Sequence, residues 1–294
     1  MTARRGRTRV FGVVGASVAH SLSPAMHAAA FDHLAMDAVY LPFDVPAGAF
    51  ARALYGAQAL GLWGLNVTAP HKEQAFALSH RASAQAARAG AANVLRLGPD
   101  GAIECDNTDG MAITDAVRLR LPGWPLDPGA PPALVLGAGG AARVAAVALA
   151  DLGATVAVTA RRSDAVQALA RLVRSHGGEA TEVAWTERGR AAAEAAVVVQ
   201  ATPLGGGTRP RGDALGDAAA GQGLLVEMAY GPEPTPLERR WAAAGGMVVD
   251  GRELLARQGA HSWHLWLGIE GPLDVMWRAI ARTPDVTRST GSRA

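Results

Sequence analysis

Cysteine and lysine each occur once in these 294 residues, and both scarcities are informative. A lone Cys105 excludes an intrachain disulfide and fits a reducing compartment such as the cytoplasm. No run approaches 18 uninterrupted apolar residues, so the chain is not expected to span a membrane. Net charge is only +2 (28 basic minus 26 acidic residues), and aromatic residues make up 5%. No basic stripe with interleaved aromatics appears, which argues against a nucleic-acid partner. What is present is ordinary for a globular protein: 49% hydrophobic residues and enough length for two domains.

The single lysine is Lys72; the other 27 of the 28 basic residues are arginines. A guanidinium stays charged at any working pH, whereas an ammonium gives up its proton when burial or a cationic neighbour lowers its pKa. Proton transfer is the task that separates the two. At the N-terminus, Arg4, Arg5, Arg7 and Arg9 precede the apolar run Val10 to Ala16, with Ser17-Val18-Ala19 behind it. That run is short and broken by Gly12 and Gly15, so a buried strand ending in a glycine turn explains it better than a signal peptide.

From Val10 onward, strand and helix alternate. Strands are expected at Val10 to Val14, Val39 to Val45 and Trp63 to Val67, and helices at about Pro24 to Leu34, with Ser23 as N-cap, and Ala47 to Leu60. Such alternation predicts an α/β fold with a mostly parallel sheet, whose ligands sit at the carboxyl ends of strands. Ser21 and Ser23, Thr68 and Lys72, and Asn93 after a helix at Ser83 to Gly90 all fall at such ends. Singly they cap helices and satisfy turns; together they form an uncharged polar rim with one cation, suited to a small polyhydroxylated carboxylate. Asp106 and Asp109 follow in Asp106-Asn107-Thr108-Asp109-Gly110, ahead of a helix from about Met111 to Arg120. The spacing lacks the EF-hand pattern, and no metal site is expected. A carboxylate of this segment facing Lys72 would orient the ammonium, as a general acid/base requires.

Leu121 to Pro132 reads as a connector. The strand Ala133 to Leu136 then runs into Gly137-Ala138-Gly139-Gly140-Ala141-Ala142-Arg143 and a helix, the dinucleotide fingerprint in its G-x-G-x-x-A form. The next strand, Thr155 to Thr159, ends in Ala160-Arg161-Arg162, where an enzyme preferring NAD places an acidic residue; two arginines suit the 2′-phosphate of NADP. Strands follow at Ala196 to Gln200 and Leu224 to Met228, then a helix from about Pro236 to Ala244; past Met247 to Asp250 come helices at Gly251 to Leu267 and Leu273 to Arg282, and a tail from Thr283. His261 and His264 lack a third metal ligand and read as helix-surface or core residues. The closing helices would pack back on the first half, bringing Gln258 near the cleft.

Taken together, His20-Ser21-Leu22-Ser23-Pro24, Asn66-Val67-Thr68 with Pro70 and Lys72, Gly90 to Asn93, Asp106 to Gly110, Gly137 to Ala141 and Gln258-Gly259-Ala260 resemble the ordered motifs of the shikimate dehydrogenases. The resemblance extends from about Val10 to Gly268. It implies a substrate domain (1–110), a Rossmann NADP-binding domain (111–250) and C-terminal helices returning to the first domain (251–294). It also implies reversible NADPH-dependent reduction of 3-dehydroshikimate to shikimate, in the route to aromatic amino acids. Lys72 and Asp109 would be the catalytic pair; Ser21 and Ser23 would hold the carboxylate, and Thr68, Asn93, Tyr230 and Gln258 the hydroxyls or pocket wall. Gly137, Ala138, Gly139, Gly140 and Ala141 would hold the pyrophosphate, Arg161 and Arg162 the 2′-phosphate, and Met228 and Gly251 the nicotinamide. A cleft that closes on both ligands follows, in a monomer or homodimer.

Ala160, Gln200, Glu227 and the pair Arg252-Glu253 depart from the family pattern. Two rival readings therefore stand beside the first. One is a quinate/shikimate dehydrogenase with broader substrate or NAD use. The other is a non-catalytic shikimate-binding sensor, which the presence of both Lys72 and Asp109 disfavours.

Overall fold

The computed structural model describes residues 8–126, 129–206 and 211–281. The arginines at 4, 5 and 7, part of the connector, and the tail from Thr283 lie outside the described residues.

The first half runs β1 (Arg9–Gly15), α1 (Ser23–His33), β2 (Ala38–Asp44), α2 (Phe50–Ala59), β3 (Gly64–Val67), α3 (Lys72–Ala77), β4 (Arg81–Ala82), α4 (Ala84–Ala89), β5 (Val94–Leu97) and β6 (Ile103–Asp106). These strands form one sheet in the order β2-β1-β3-β5-β6-β4. β1 pairs in parallel with β2 and β3, but β5 runs against both β3 and β6. The sequence reading did not contain β5, whose Val94 and Leu95 are buried on a central strand and carry no alternation. Ser83 caps α4 by accepting from the Ala86 N–H, and Gly90 ends it in the left-handed region at φ 60°.

Three helix starts differ from expectation. The helix α2 opens at Phe50 rather than Ala47. Leu22, not Ser23, is the N-cap of α1, and no side chain caps that helix. Ser23 is already helical, with its hydroxyl turned toward Tyr40. Next, α5 (Thr108–Arg120) begins three residues before Met111, because Asn107 is extended and its side chain accepts from the Asp109 N–H.

The second half continues with β7 (Ala133–Leu136), α6 (Gly140–Asp151), β8 (Val156–Thr159), α7 (Ser163–Ser175), β9 (Ala180–Glu182), α8 (Arg188–Glu194), β10 (Val197–Gln200), β11 (Leu224–Glu227), α9 (Pro236–Ala243) and β12 (Met247–Val249). Its sheet is wholly parallel, ordered β12-β11-β10-β7-β8-β9. This is the doubly wound Rossmann order, and the strand order reverses between β7 and β10, the place where sheets of this kind receive their ligands. β7, β8, β10 and β11 read as continuous apolar runs because helices cover both faces.

The last helices, α10 (Gly251–Leu267) and α11 (Leu273–Ile280), return to the first sheet. Trp263 is fully buried in the cluster of Phe11, Met26, Phe31 and Met276. Trp266 lies on Gly64, where an added Cβ would stand 2.3 Å from the indole nitrogen, and that nitrogen donates to the Leu95 carbonyl at 2.9 Å. Gly259 permits an equally close approach to α1, since a Cβ there would meet the Met26 methyl at 2.4 Å. Each such aromatic burial contributes roughly 2–3 kcal/mol, so α10 is held by packing rather than by helix propensity. Opposite this face, α5 and α10 are laced by Asp115–His261 at 2.7 Å and Arg120–Glu253 at 2.8 Å. The hydrogen bond from His261 holds the Asp115 carboxyl below its ordinary range.

Candidate active site

The turn before α3 decides where the lone lysine points. His71 is buried, its Nε2 lies 2.8 Å from the Val45 carbonyl, and its ring stacks on Phe50 with centroids 4.9 Å apart. With His71 anchored inward, Lys72 at the next position emerges toward the start of α5. Its Nζ donates to Asp109 Oδ2 at 2.5 Å, and the two side chains are 18% and 12% exposed.

Asp109 is held in turn. Asn93 Nδ2 donates to Asp109 Oδ1 at 2.8 Å, to Thr108 Oγ1 at 3.0 Å and to Gln258 Oε1 at 3.3 Å, while Asn93 Oδ1 accepts from the Thr108 N–H at 2.7 Å. Asn107 closes the frame, capping α5 and donating to the Ala91 carbonyl at 2.9 Å. The Ala92 N–H donates to the Lys72 carbonyl at 2.9 Å, tying the lysine's own backbone to the same loop. Asp106, the other carboxylate of this segment, accepts from Ser83 and from the Asn107 N–H and does not reach Lys72.

A second cluster adjoins the first. Ser21 Oγ accepts from the Ser23 N–H at 3.2 Å. The Tyr230 hydroxyl faces Ser21 and the Leu22 backbone, and burial pushes its pKa up. Tyr40, raised further by burial, faces Ser23 and donates to Asn66 Oδ1 at 2.8 Å. Asn66 Nδ2 bridges to Ser262 Oγ at 2.9 Å and to the Asn93 carbonyl at 3.3 Å, linking the two clusters. The sequence-derived residues Ser21, Ser23, Asn93, Tyr230, Gln258, Lys72 and Asp109 thus lie in one polar network. Thr68 flanks it, half-buried with its methyl against Gly15. Tyr40 and Ser262 were not legible as site residues. The one available signal was Ser262 itself, a polar group four residues after Gln258 on the buried stripe of α10.

Beneath Tyr40 lies His27, stacked on its ring at 4.2 Å and accepting from Trp263 Nε1 at 3.0 Å. Burial lowers the His27 pKa to about 3, so the ring is neutral.

In the second half, the glycine loop has the shape a pyrophosphate requires. Gly137 turns at φ 119°, and a Cβ there would stand 3.0 Å from the Ala201 carbonyl oxygen. Gly139 and Gly140 face open space, where nothing lies within 4 Å of an added Cβ. No side chain caps α6, so its first N–H groups and positive dipole end face that space. Arg161 and Arg162 stand exposed beyond β8, next to β7, without an ion pair to another described residue. Met228 follows β11, and Gly251 opens α10 so close to the Ala229 carbonyl that a Cβ would lie 2.1 Å away. The donor set and the space fit a dinucleotide with a 2′-phosphate. Among the described residues, no group of three or more His, Cys, Asp or Glu side chains is placed to hold a metal ion.

Two departures are structural. Gln200 is buried and organises the following turn, accepting from the Thr202 N–H at 2.7 Å and donating to the Leu204 carbonyl at 2.7 Å. Glu227, fully buried, accepts from the Ala229 N–H at 2.9 Å and from Thr235 Oγ1 at 3.0 Å. Burial pushes its carboxyl up to about 8.

Residues 13–95 match the family model of the shikimate dehydrogenase substrate binding domain, and residues 251–281 that of the shikimate 5′-dehydrogenase C-terminal domain. The chain is 42% identical over 280 residues to the shikimate dehydrogenase (NADP(+)) of Anaeromyxobacter sp. (strain Fw109-5), covering 94% of this chain and 97% of that one. Shikimate 5-dehydrogenase from Thermus thermophilus, solved with NADP(H) and shikimate, superposes with a TM-score of 0.80 at 35% identity, covering 92% and 98%. Quinate dehydrogenase from Corynebacterium glutamicum, solved with NAD, superposes at 0.82 with 27% identity, covering 92% and 98%.

Proposed function

Because this chain belongs to the shikimate dehydrogenase family, we propose that it reversibly reduces 3-dehydroshikimate to shikimate with NADPH, Lys72 and Asp109 forming the proton-transfer pair. The observation that carries the reading is the 2.5 Å contact between the chain's only lysine and a carboxylate fixed from behind by Asn93. In this reading residues 1–110 bind substrate, 111–250 bind the coenzyme, and 251–294 complete the substrate side through Gln258. The buried free thiol of Cys105 supports a cytoplasmic location.

Bound NADPH supplies the hydride. Gly137, Ala138, Gly139, Gly140 and Ala141 receive the pyrophosphate at the start of α6, Arg161 and Arg162 the 2′-phosphate, and Met228 and Gly251 border the nicotinamide. The residues of the first half orient the substrate: Ser21 and Ser23 hold its carboxylate, while Asn93, Gln258, Thr68 and Tyr230 contact hydroxyls or close the wall. Charge developing on the carbonyl oxygen is met by the Lys72 ammonium, which donates its proton there. Asp109 keeps the ammonium oriented and accepts a substrate hydroxyl with its remaining capacity. In the reverse direction the neutral lysine removes the hydroxyl proton. Partial exposure of Lys72 allows exchange of that proton with solvent between turnovers.

The test is NADP⁺ reduction followed by absorbance with shikimate or quinate, each repeated with NAD⁺, in wild type and Lys72→Ala. Turnover of shikimate with NADP⁺ is expected, falling by roughly 10²–10⁴-fold in the variant while shikimate still binds. No turnover by wild type in any combination, with shikimate bound, would move the sensor reading to the front. Faster turnover of quinate with NAD⁺ would establish the other rival.

A further inference from the structure

We infer that Arg252 is a positioning residue for substrate binding, setting Tyr230 against Ser21 by clamping the turn that follows the tyrosine; the inference rests on the functional reading above. Tyr230 is the one proposed pocket residue contributed by the nucleotide-binding half, and its hydroxyl faces Ser21 and Leu22 of the other half. It sits on the segment between β11 and α9, directly before Gly231 and Pro232. A glycine in that place leaves the backbone free to swing unless something holds it.

Arg252 supplies the hold. Its Nη2 donates to the Gly231 carbonyl at 2.7 Å and to the Pro232 carbonyl at 3.0 Å, and its Nε reaches the Gly231 carbonyl at 3.2 Å. The remaining arm, Nη1, donates to the Ile280 carbonyl at the end of α11 at 2.9 Å. One planar guanidinium therefore ties the turn after Tyr230 to both C-terminal helices, a geometry that the single ammonium of lysine cannot reproduce. Its own backbone is fixed as well, because Asp250 Oδ1 accepts from the Arg252 and Glu253 N–H groups at 2.9 and 2.8 Å. On the near side, Glu227 holds the Ala229 N–H, and Gly251 packs against the Ala229 carbonyl. Tyr230 is thus bracketed from both ends, and Arg252 touches neither the glycine loop nor the Lys72–Asp109 pair.

The consequence is a division of labour. Loss of the guanidinium should weaken the grip on substrate while sparing proton transfer and coenzyme binding. Arg252→Leu, Arg252→Lys, Tyr230→Phe and the double variant Arg252→Leu/Tyr230→Phe would be compared by steady-state kinetics in both substrates, direct shikimate titration and thermal denaturation. Expected are a rise of roughly tenfold in KM and Kd for shikimate in Arg252→Leu, kcat and KM for NADP⁺ within about twofold of wild type, and a smaller rise in Arg252→Lys. If Arg252 acts through Tyr230, the double variant should bind shikimate no more weakly than Tyr230→Phe alone. An unchanged shikimate KM in Arg252→Leu or, should that variant not fold, in Arg252→Lys would overturn the inference. So would additive effects in the double variant, or a fall in kcat matching the change in KM. Failure of wild type to oxidise shikimate at all would strike the functional reading instead.

Discussion

Replacing Glu227 by glutamine should reshape the dependence of stability on pH. The carboxyl is fully buried, and desolvation, opposed in part by the Ala229 N–H, raises it from 4.5 to about 8. Below pH 4.5 it is protonated both folded and unfolded and adds no pH dependence. Between 4.5 and about 8 the folded chain holds a proton that the unfolded chain has released, so stability declines as pH rises. At about 1.4 kcal/mol per pH unit, the full penalty is on the order of 5 kcal/mol, of which about 2 kcal/mol accrues between pH 6.5 and 8. Glutamine keeps the shape and an acceptor for the Ala229 N–H but cannot ionise. Urea unfolding of wild type and Glu227→Gln at half-unit steps from pH 6.5 to 8 would measure the difference, which should widen by about 2 kcal/mol, or several degrees in Tm. Two parallel profiles would show that the carboxyl does not titrate in this range and that its burial is compensated in some other way.

His27 has the opposite sign. Burial lowers its pKa to about 3 from 6.5, so the stability it confers is complete above pH 6.5 and is lost as pH falls toward 3. In a Glu227→Gln background, His27→Gln, which retains an acceptor for Trp263, should flatten that acid limb in urea titrations; an unchanged limb would refute the assignment. Gly64→Ala should destabilise by about 1–3 kcal/mol, because its Cβ would stand 2.3 Å from the Trp266 indole on a buried face. Thermal melting checks this, and a neutral result would mean that α10 shifts freely over the first sheet.

Much of the architecture was written locally. The glycine loop needs only a strand, a turn at positive φ and a helix start, all within residues 133–151, and so it can be read from spacing. The four inner strands of the second sheet are legible because burial on both faces makes them largely apolar runs, whereas the edge strands β9 and β12, partly exposed, carry no such signal. Local signals failed where a competing group changed the outcome. Ser23 has the chemistry of an N-cap, but its hydroxyl is turned toward Tyr40 and the helix starts one residue earlier. β5 became a strand by lying between β3 and β6, a pairing that nothing in Val94 to Leu97 announces.

The active-site candidates divide in the same way. Sequence alone marked Lys72 as the candidate for a task arginine could not perform, the loop after β7 as a dinucleotide site, and the segment with Asp106 and Asp109 as the source of a carboxylate to face the lysine. The family resemblance names Asp109, and only the tertiary structure supplies the physical reason. Asp106 is engaged by Ser83 and the Asn107 N–H, whereas Asp109, in the first turn of α5, is aimed by Asn93 at an ammonium 37 residues away in the chain. The part played by Arg252 likewise became visible only when the ends of α10 and α11 and the turn after Tyr230 were brought to one guanidinium. Residue type dictates what a group can donate, accept or release; which partner receives it depends on how separate segments bury their apolar faces together.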